Sequence, residues 1–559
     1  IDALGGEMGL NIDATGIQFR RLNTRKGPAV RAARAQADRM AYSARMKNVI
    51  EAEPLLDLKQ GLVEELLVEK GRIVGVKIRE GLAFYGKTVV LTTGTFMRGL
   101  IHVGLNHFAG GRAGEPSAEG ISGSLSALGL RVGRLKTGTP ARLSARSIDF
   151  SKLEKQPGDK LIKPFSFMTE KITRKQVDCY IAETNEMTHQ IIRDNLDKSP
   201  LFAGVIEGIG PRYCPSIEDK VVRFPDKKSH QSFLEPEGIV GSEMYPSGLS
   251  TSLPPDVQLA YFRSMVGFER VEIMRPGYAI EYDFVEPLQL KATLETRVVA
   301  GLFHAGQING TSGYEEAAGQ GILAGINAAR QCQDREPVII GRDEGYLGVM
   351  VDDLITQPTT DPYRMFTSRS EYRLLLREDN ADQRLTELGR EVGLVSDVRW
   401  KMFQEKQQQV DAATQILKTK SVTSADRTAV NLLNLGELKS GLSLESLLRR
   451  PELSLKQLED ICPELGAFSP QALEQVEIAV KYEGYIKRQL EQVERYRLQE
   501  DINMPGDIDY DEIPSLSTEV REKLKKTLPI SLGQAGRIQG VTPAAIAVIQ
   551  IYLRKKHHV

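Results

Sequence analysis

The sequence predicts an α/β domain that is interrupted by an inserted unit and followed by a helical C-terminal region. Two stretches with strand character, the β-branched 87–96 and the apolar 299–306, each end in a glycine turn, and the second leads into a helix of small residues over 314–330. Strand, glycine turn and helix in this order are typical of an α/β domain whose strand ends face a ligand. Beyond about residue 395 the apolar residues recur at helical spacing almost throughout. A chain of 559 residues also exceeds what one core supports, so about three or four domains are expected.

The first part of the chain is predicted to open the α/β domain. The Ala- and Arg-rich stretch 28–48 is predicted to form a helix, with Pro28 near its first turn, where proline is tolerated. Alternating apolar residues over 62–78 predict a β-hairpin that turns at Gly71. The stretch KTVVLTTGTF at 87–96 then predicts a strand that ends in a glycine turn.

A stretch of mixed character, rich in Lys, Pro and Gly, separates the two strands that end in glycine turns. Because the closing strand and helix come only after it, we interpret this stretch as an inserted unit. Near the end of the chain, Thr542 and Pro543 are predicted to be the N-cap and first residue of a last helix. The predicted units are a first α/β part (1–142), an inserted unit (143–287), a closing α/β part (288–335), a connecting segment (336–395) and a helical C-terminal domain (396–559).

Composition limits the possible partners and sites. With 73 basic and 74 acidic residues the net charge is −1, so a nucleic acid would have to be held by a local basic patch. No apolar run approaches the roughly 20 residues that cross a bilayer and no secretion signal is seen, so we expect a cytoplasmic protein without a membrane partner. The cysteines are Cys179, Cys214, Cys332 and Cys462. They form no CxxC pair, which argues against a disulfide framework and a zinc cage, and no metal site is predicted.

The first motif is GQINGTSGYEEAAGQGILAGINAA at 306–329. Gly306, Gly310 and Gly313 permit a tight turn and a close approach of the backbone to a ligand. The N-terminus of the helix that follows suits a pyrophosphate or a flavin oxygen. The alternative is a helix packed closely on a sheet without a ligand, but glycines within a helix cost stability and need a reason. No GxGxxG fingerprint occurs anywhere in the sequence.

The second motif is GPRYCPSIEDKVVRF at 210–224, which holds Cys214 among three cations. Cationic neighbours favour the thiolate, which is the reactive form of cysteine. The alternative is a small buried thiol without a chemical role. The cations are Arg212, Lys220 and Arg223.

The third motif is PYRMFTSRSEYRLLLREDNADQR at 362–384. Arg369, Arg373 and Arg377 recur every fourth residue, so on a helix they would form a stripe with steps of about 6 Å, near the phosphate spacing of a nucleic-acid strand. Aromatic side chains that could stack on unpaired bases lie between them, namely Tyr363, Phe366 and Tyr372. Carboxylates that could instead pair with the arginines internally are Glu371, Glu378 and Asp379.

Segments 210–224 and 305–328 resemble the two diagnostic motifs of the MnmG/GidA family along their whole length. The resemblance continues through GPAVRAARAQADR, GRLKTGTP, PGYAIEYDF and GRIQGVTPAAI, and covers essentially the whole chain. It implies an α/β FAD-binding Rossmann-like (glutathione-reductase-like) domain with an inserted α/β dinucleotide-binding domain for NADH. It also implies an all-α C-terminal domain that binds tRNA and the GTPase MnmE.

The resemblance implies a reaction as well. Members of this family bind FAD, oxidise NADH and act with MnmE on C5 of the wobble uridine of certain tRNAs. They add an aminomethyl or carboxymethylaminomethyl group, with methylenetetrahydrofolate as the source of carbon and glycine or ammonium as the source of the amine. The family is homodimeric and forms a heterotetramer with MnmE, and its N-terminal glycine fingerprint and second functional cysteine would precede Ile1 of this sequence.

Site residues follow from the same resemblance. Cys214 is expected to be catalytic, acting covalently at the uridine or its adduct. FAD is expected at Val63, Thr93, Gly94, Thr95, Gly306, Gln307, Asn309 and Gly313. NADH is expected at Gly210, Pro211, Arg212, Tyr213, Cys214, Pro215 and Ser216. RNA is expected at Arg364, Arg369, Arg373 and Arg377.

Three other interpretations of the sequence stay open. A folate- and FAD-dependent tRNA uridine methyltransferase would lack the long helical C-terminal part, so residues 396–559 count against it. A flavin oxidoreductase similar to fumarate reductase would have no need of RNA or of the arginines at 369–377. A non-catalytic RNA-binding scaffold would show no flavin absorbance.

Overall fold

The computed structural model describes residues 1–210, 215–438, 440–500 and 502–556. The first part contains α1 (Met8–Thr15), β1 (Gly16–Leu22), β2 (Ala32–Ala37), α2 (Arg39–Glu51), β3 (Val63–Glu69), β4 (Arg72–Ile78), β5 (Ala83–Tyr85), β6 (Val89–Leu91), β7 (Leu100–Val103), β8 (Asn106–Ala109), α3 (Gly120–Ala127) and β9 (Val132–Thr139). The predicted hairpin over 62–78 is confirmed, because β3 and β4 pair antiparallel around Gly71, whose φ is +77°.

The helix predicted over 28–48 is wrong in its first half. Residues 32–37 form β2, which pairs antiparallel with β1 and makes a separate two-stranded sheet. The helix begins only at Arg39, after the carboxylate of Asp38 accepts a hydrogen bond from Ala41 N at 3.1 Å. Ala, Arg and Gln are good helix formers, but pairing with β1 overrides this local preference.

The inserted unit contains β10 (Arg142–Ser144), β11 (Glu154–Gln156), β12 (Cys179–Glu183), α4 (Glu186–Arg193), α5 (Ile217–Arg223), β13 (Gln231–Pro236), β14 (Glu243–Ser247), α6 (Pro255–Arg263) and β15 (Ile273–Arg275). Its six strands lie in the order β11-β12-β13-β14-β10-β15, with every pair antiparallel. A dinucleotide-binding fold has a mostly parallel sheet. The assignment of NADH to this unit therefore rests on the family resemblance and stays a prediction.

The chain then returns to the α/β domain through β16 (Tyr278–Val285), β17 (Leu302–His304) and α7 (Tyr314–Cys332). Strand β16 pairs with both β7 and β9, in a four-stranded sheet of order β8-β7-β16-β9. The inserted sheet therefore lies within 142–275, and the predicted boundary at 287 is too late. Strands β6 and β17 pair in parallel, so the two stretches predicted to end in glycine turns lie side by side.

The rest of the chain is almost entirely helical, as predicted. It contains α8 (Tyr346–Thr356), α9 (Ala381–Glu391), α10 (Asp397–Thr419), β18 (Ser421–Val422), α11 (Arg427–Leu432), β19 (Leu442–Ser443), α12 (Leu444–Leu448), α13 (Leu455–Glu459), α14 (Pro470–Glu500), α15 (Thr518–Thr527), α16 (Leu532–Arg537) and α17 (Pro543–Lys555). Thr542 caps α17 as predicted, accepting a hydrogen bond from Ala545 N. Among the helices of the described residues, none combines the length and apolar character that a bilayer crossing needs.

Candidate functional site

The glycine turn after β17 brings the two predicted flavin segments together. A short 3-10 helix, Gly306–Asn309, follows the strand, and Gly306 and Gly310 have φ values of +85° and +71°. Both values lie in the left-handed region, which glycine adopts without steric cost. The loop after β6 lies beside this turn, because a Cβ atom placed on Gly94 would be 3.7 Å from Gln307 Oε1.

A buried glutamine of α7 holds the turn in shape. Gln320 Oε1 accepts hydrogen bonds from Gly306 N and Asn309 Nδ2, both at 2.9 Å. Its Nε2 donates to Thr311 Oγ1 at 3.1 Å, and that hydroxyl donates to Gly306 O at 2.7 Å. The side chain of Gln320 is fully buried. Sequence reasoning missed this residue, and the only signal for it is a polar side chain among the small residues of the helix.

Asn309 belongs to this support, and its buried Oδ1 has no partner among the described residues, so its place at the flavin stays a prediction. It is fully buried, and its Nδ2 also donates to His304 O at 2.9 Å. His304, the last residue of β17, is fully buried, and neither ring nitrogen has a partner among the described residues. Burial lowers the pKa of His304 to about 3, so the ring is neutral at physiological pH.

Gly313 is expected from the sequence to let the backbone approach a ligand, but the structure shows a different reason for a glycine at this position. It is the N-cap of α7, and a Cβ atom there would overlap the carboxylate of Glu316. This carboxylate folds back over the helix start and accepts hydrogen bonds from Met365 N at 2.8 Å and Arg364 Nε at 3.2 Å. Two carboxylates, Glu315 and Glu316, lie in the first turn of α7. They repel a phosphate, so this helix end suits a flavin oxygen better than a pyrophosphate.

The loop after β6 offers an unused hydrogen-bonding group at the same place. Thr95 Oγ1 donates to Gly111 O at 2.5 Å, whereas Thr93 Oγ1 is shielded from solvent and has no partner among the described residues. A buried polar atom without a partner costs free energy unless a ligand satisfies it. Val63 lies at the start of β3 and packs against the apolar cluster that includes Ile308 of the turn. The residues expected at the flavin therefore form one connected region that fits such a ligand.

Four of the residues expected at NADH lie outside the described part of the chain, namely Pro211, Arg212, Tyr213 and Cys214. The flanking residues are described. Ile209 O accepts a hydrogen bond from Lys136 N of β9 at 3.0 Å, and Ser216 caps α5 by accepting from Asp219 N at 3.2 Å. A small polar cavity lies beside these flanks, with Lys136, Ser216 and Tyr278 in its lining.

Two of the three cations expected to activate Cys214 have partners of their own. Lys220 Nζ donates to Gly248 O at 2.6 Å. Arg223 lies 3.5 Å from the carboxylate of Asp219, one turn earlier on α5. The third cation, Arg212, is outside the described residues.

Strand β16 joins the glycine turn to the loop that precedes residue 211. Successive side chains of a strand point to opposite faces, so Glu281 and Tyr282 face different sides. Tyr282 packs with Leu135 and Phe284, whose side chains lie against Gly310. On the other face, Glu281 accepts hydrogen bonds from Glu207 N at 2.9 Å and Gly208 N at 2.6 Å.

The carboxylate of Glu281 is ionised in this buried place. Burial by itself opposes ionisation, but the hydrogen bond from His102 at 2.8 Å, the bond from Gly208 N and the charge of Arg134 outweigh it and lower the pKa of Glu281. A charged acceptor makes strong bonds to backbone N–H groups. Glu281 therefore fixes the start of the segment that carries Cys214.

The predicted helical stripe of arginines is wrong. Residues 367–369 form one 3-10 turn, and residues 370–380 form turns rather than a helix. Arg377 is buried and pairs with Asp379 at 3.0 Å, the two side chains being 5% and 7% exposed. The guanidinium of Arg369 lies 4.4 Å from the ring centre of Tyr363, and its Nε donates to Arg364 O at 2.9 Å.

The side chains around these arginines explain the difference. Tyr363 and Tyr372 are buried, so neither is available to stack on a base. Glu371 pairs with Arg342 at 2.8 Å. The segment thus folds inward. Arg377 pairs with Asp379 within the segment, which is the alternative that the sequence left open, whereas Glu371 pairs with a cation outside it. Of the four arginines expected at RNA, Arg373 is exposed, Arg364 and Arg369 are half-buried, and Arg377 is buried.

Comparison with known proteins agrees with this architecture. The family model "Glucose inhibited division protein A" matches residues 1–336. Two further models, described as the C-terminal helical domain and the C-terminal helical bundle of the tRNA modifying enzyme MnmG/GidA, match residues 397–490 and 492–559. Among the described residues, no group of His, Cys, Asp and Glu side chains is placed to hold a metal ion.

Individual relatives match over nearly their whole length. The tRNA uridine 5-carboxymethylaminomethyl modification enzyme MnmG of Syntrophotalea carbinolica is 61% identical, over 99% of this chain and 90% of the relative. The enzyme of the same name from Geobacter sulfurreducens is 60% identical, over 100% of this chain and 89% of the relative. The crystal structure of Aquifex aeolicus GidA superposes with a TM-score of 0.89 at 48% identity, covering 99% of this chain and 89% of that chain. The resemblance seen in the sequence is confirmed, and this chain belongs to the MnmG/GidA family.

Proposed function

We propose that this protein is a flavin-dependent enzyme that adds a carboxymethylaminomethyl or aminomethyl group to C5 of the wobble uridine in tRNA. Relatives of about 60% identity are named for this modification. The observation that carries the proposal in this chain is the glycine turn beside the loop of Thr93, whose buried hydroxyl has no partner among the described residues. When bound there, FAD supplies the hydride that reduces the one-carbon unit.

The residues of the chain would hold and shield this cofactor. Gly306 and Gly310 let the backbone come close, and Gln320 fixes the turn so that it need not reorganise on binding. Thr93 Oγ1 is placed to hydrogen-bond a ligand, and Gln307 lies at the same loop. We propose NADH as the reductant of the flavin, held by residues 210–216, and methylenetetrahydrofolate as the carbon donor.

We propose Cys214 as the nucleophile. C5 of uridine is a poor nucleophile until a thiolate adds at C6, and Cys214 would supply that thiolate. The anchoring of the flanks supports this role, since Glu281 holds the backbone at 207–208 and Ser216 caps α5. A nucleophile must be positioned by its surroundings, and both ends of this short segment are fixed.

We also propose that the protein works in the cytoplasm as a homodimer that forms a heterotetramer with MnmE. The helical C-terminal domain would bind MnmE and tRNA, as the family resemblance implies. This domain also argues against a methyltransferase, because residues 397–490 and 492–559 match the C-terminal models of the MnmG/GidA family.

The test is mass spectrometry of tRNA nucleosides from a strain that lacks the gene and carries a plasmid-borne copy. The wild-type gene should restore 5-carboxymethylaminomethyluridine or its aminomethyl form, whereas Cys214→Ser should not, because a hydroxyl is far less acidic than a thiol. Cys332→Ser is a matched control, since Cys332 is partly buried beside Thr88 Oγ1 at 3.4 Å, far along the chain from the motif. Normal levels of the modified uridine with Cys214→Ser would overturn the role of this residue. Restoration of 5-methyluridine instead would overturn the reaction.

A further inference from the structure

The hairpin of β1 and β2, with its connecting turn, carries charges of one sign only. Residues 16–37 contain six cations and no carboxylate: Arg20, Arg21, Arg25, Lys26, Arg31 and Arg34. A chain with a net charge of −1 concentrates positive charge here, which is the local basic patch that nucleic-acid binding requires.

The two strands of the hairpin are anchored, and the charges of Arg21 and Arg34 on them are neutralised. Arg21 pairs with Glu378 at 2.9 Å, and its backbone N donates to Asp159 Oδ2 at 2.6 Å. Arg34 pairs with Glu235. These contacts fix the direction of the hairpin and leave its tip as the part that carries uncompensated charge.

At the tip the cations have no such partners. Arg25 and Lys26 are exposed, and no carboxylate of the described residues lies within 4 Å of them or of Arg20. Asn23 shapes the tip, with a φ of +57° and a hydrogen bond from its Nδ2 to Val30 O at 3.0 Å. Positive charge that the fold itself leaves unpaired is available to an anionic partner.

An aromatic side chain lies next to this tip. A Cβ atom on Gly27 would be 3.5 Å from the hydroxyl of Tyr482 on α14. The ring of Tyr485 lies 6.5 Å from that of Tyr482, and its side chain is 63% exposed. An exposed ring beside a basic strip is the combination that binds unpaired nucleotides, with charge on the phosphates and the ring against a base.

The hairpin also leads directly to the proposed flavin site. Strand β2 continues into α2, and the ring of Tyr42 on that helix lies 6.2 Å from the ring of Tyr314 at the start of α7. We propose that the tip of the β1–β2 hairpin, through Arg25 and Lys26, holds the phosphates of an RNA loop while Tyr485 stacks on one of its unpaired bases. This inference rests on the proposed function and takes the place of the arginine stripe at 369–377.

The test measures the binding of a fluorescein-labelled, unmodified tRNA transcript to the full chain over a series of salt concentrations. The double variant Arg25→Gln/Lys26→Gln should weaken binding by about tenfold and reduce the slope of log K against log salt by close to one unit for each phosphate that is no longer neutralised. Tyr485→Ala should weaken binding by about fivefold or more without changing that slope, because stacking involves no counterion release. Arg25→Lys should keep the slope, since the charge remains.

Lys70→Gln/Lys77→Gln is the matched control, because it removes two exposed cations from the other hairpin, β3–β4. It should leave both affinity and slope as in the wild type. Thermal midpoints and flavin content establish that each variant is folded. If the tip variants bind like the wild type, this surface is wrong while the proposed function stands. If the wild type itself fails to bind the transcript, both the surface and the proposed function are overturned.

Discussion

The glycine turn with the start of α7 (306–320) contacts the arginine segment (364–380) through the carboxylate of Glu316. The two regions are nevertheless kept in their conformations by different interactions. Neutral hydrogen bonds to Gln320 hold the turn, with Gly306 and Asn309 as donors. Ion pairs hold the arginine segment, with Arg377 on Asp379 as its most buried example. Glycines therefore predict backbone geometry directly, whereas the meaning of arginines depends on where their carboxylate partners lie.

The largest expected loss of stability comes from breaking an ion pair of the arginine segment. Arg377→Ala should lower the free energy of unfolding by about 3–5 kcal/mol, because it leaves the carboxylate of Asp379 buried and unpaired. Chemical denaturation followed by circular dichroism measures this change. The double variant Arg377→Ala/Asp379→Ala should be clearly less destabilised, since no lone charge is left behind. An Arg377→Ala protein of normal stability with weakened tRNA binding would restore Arg377 as an RNA contact.

A smaller loss of stability is expected when the hydrogen bonds that hold the glycine turn are removed. Gln320→Leu should cost about 1–3 kcal/mol, because Gly306 N would be left without a buried partner and the hydroxyl of Thr311 would lose one of its two hydrogen bonds. The visible absorbance of purified protein should show that bound flavin falls with it. Gln333→Leu, at the exposed C-cap of the same helix, is the control and should keep the flavin. Full flavin content in the Gln320→Leu protein would mean that the turn keeps its shape without this residue.

The third expected effect is on how stability depends on pH, and it comes from His304, which lies just before the glycine turn. The pKa of His304 is lowered to about 3 by burial, so the unfolded chain binds a proton there below about pH 6.5 while the folded chain does not. The free energy of unfolding is therefore unaffected by this residue above about pH 6.5 and declines as the pH falls toward 3, with a slope of about 1.4 kcal/mol per pH unit. Denaturation of His304→Phe across this range should show a shallower decline in acid than the wild type. An unchanged slope would mean that other groups govern the acid response.

The same contrast, between backbone geometry and charged side chains that depend on distant partners, separates what the sequence could predict from what it could not. Strands β6 and β17, helix α7 and the hairpin at Gly71 were predictable, because short apolar runs and the glycines that bound them determine local geometry. The strand at 32–37 was not, because Ala, Arg and Gln favour a helix and only pairing with β1 makes them a strand. The spacing of Arg369, Arg373 and Arg377 suggested a helix, but several of the partners that fold this segment inward are distant in sequence.

The candidate site shows the same limit. The motif glycines and the loop of Thr93 could be identified from the sequence alone. Gln320 and Glu281 could not, because their roles depend on which backbone N–H groups the fold brings to them. The reason for Gly313 was also out of reach, since it is the carboxylate of Glu316, three residues on, that occupies the space beside it.

The pairing of β9 with β16 has a consequence for how the chain folds. These strands pair from Val132 with Val285 to Thr139 with Tyr278, so the inserted unit leaves and re-enters the sheet at neighbouring points. Closing so long a loop costs conformational entropy, and a unit that is already compact lowers that cost by bringing its ends together. The order of assembly that this favours is the inserted unit first and the sheet around it second. Local unfolding of the insert while β9 and β16 stay paired would then open the unit that contains the proposed catalytic segment.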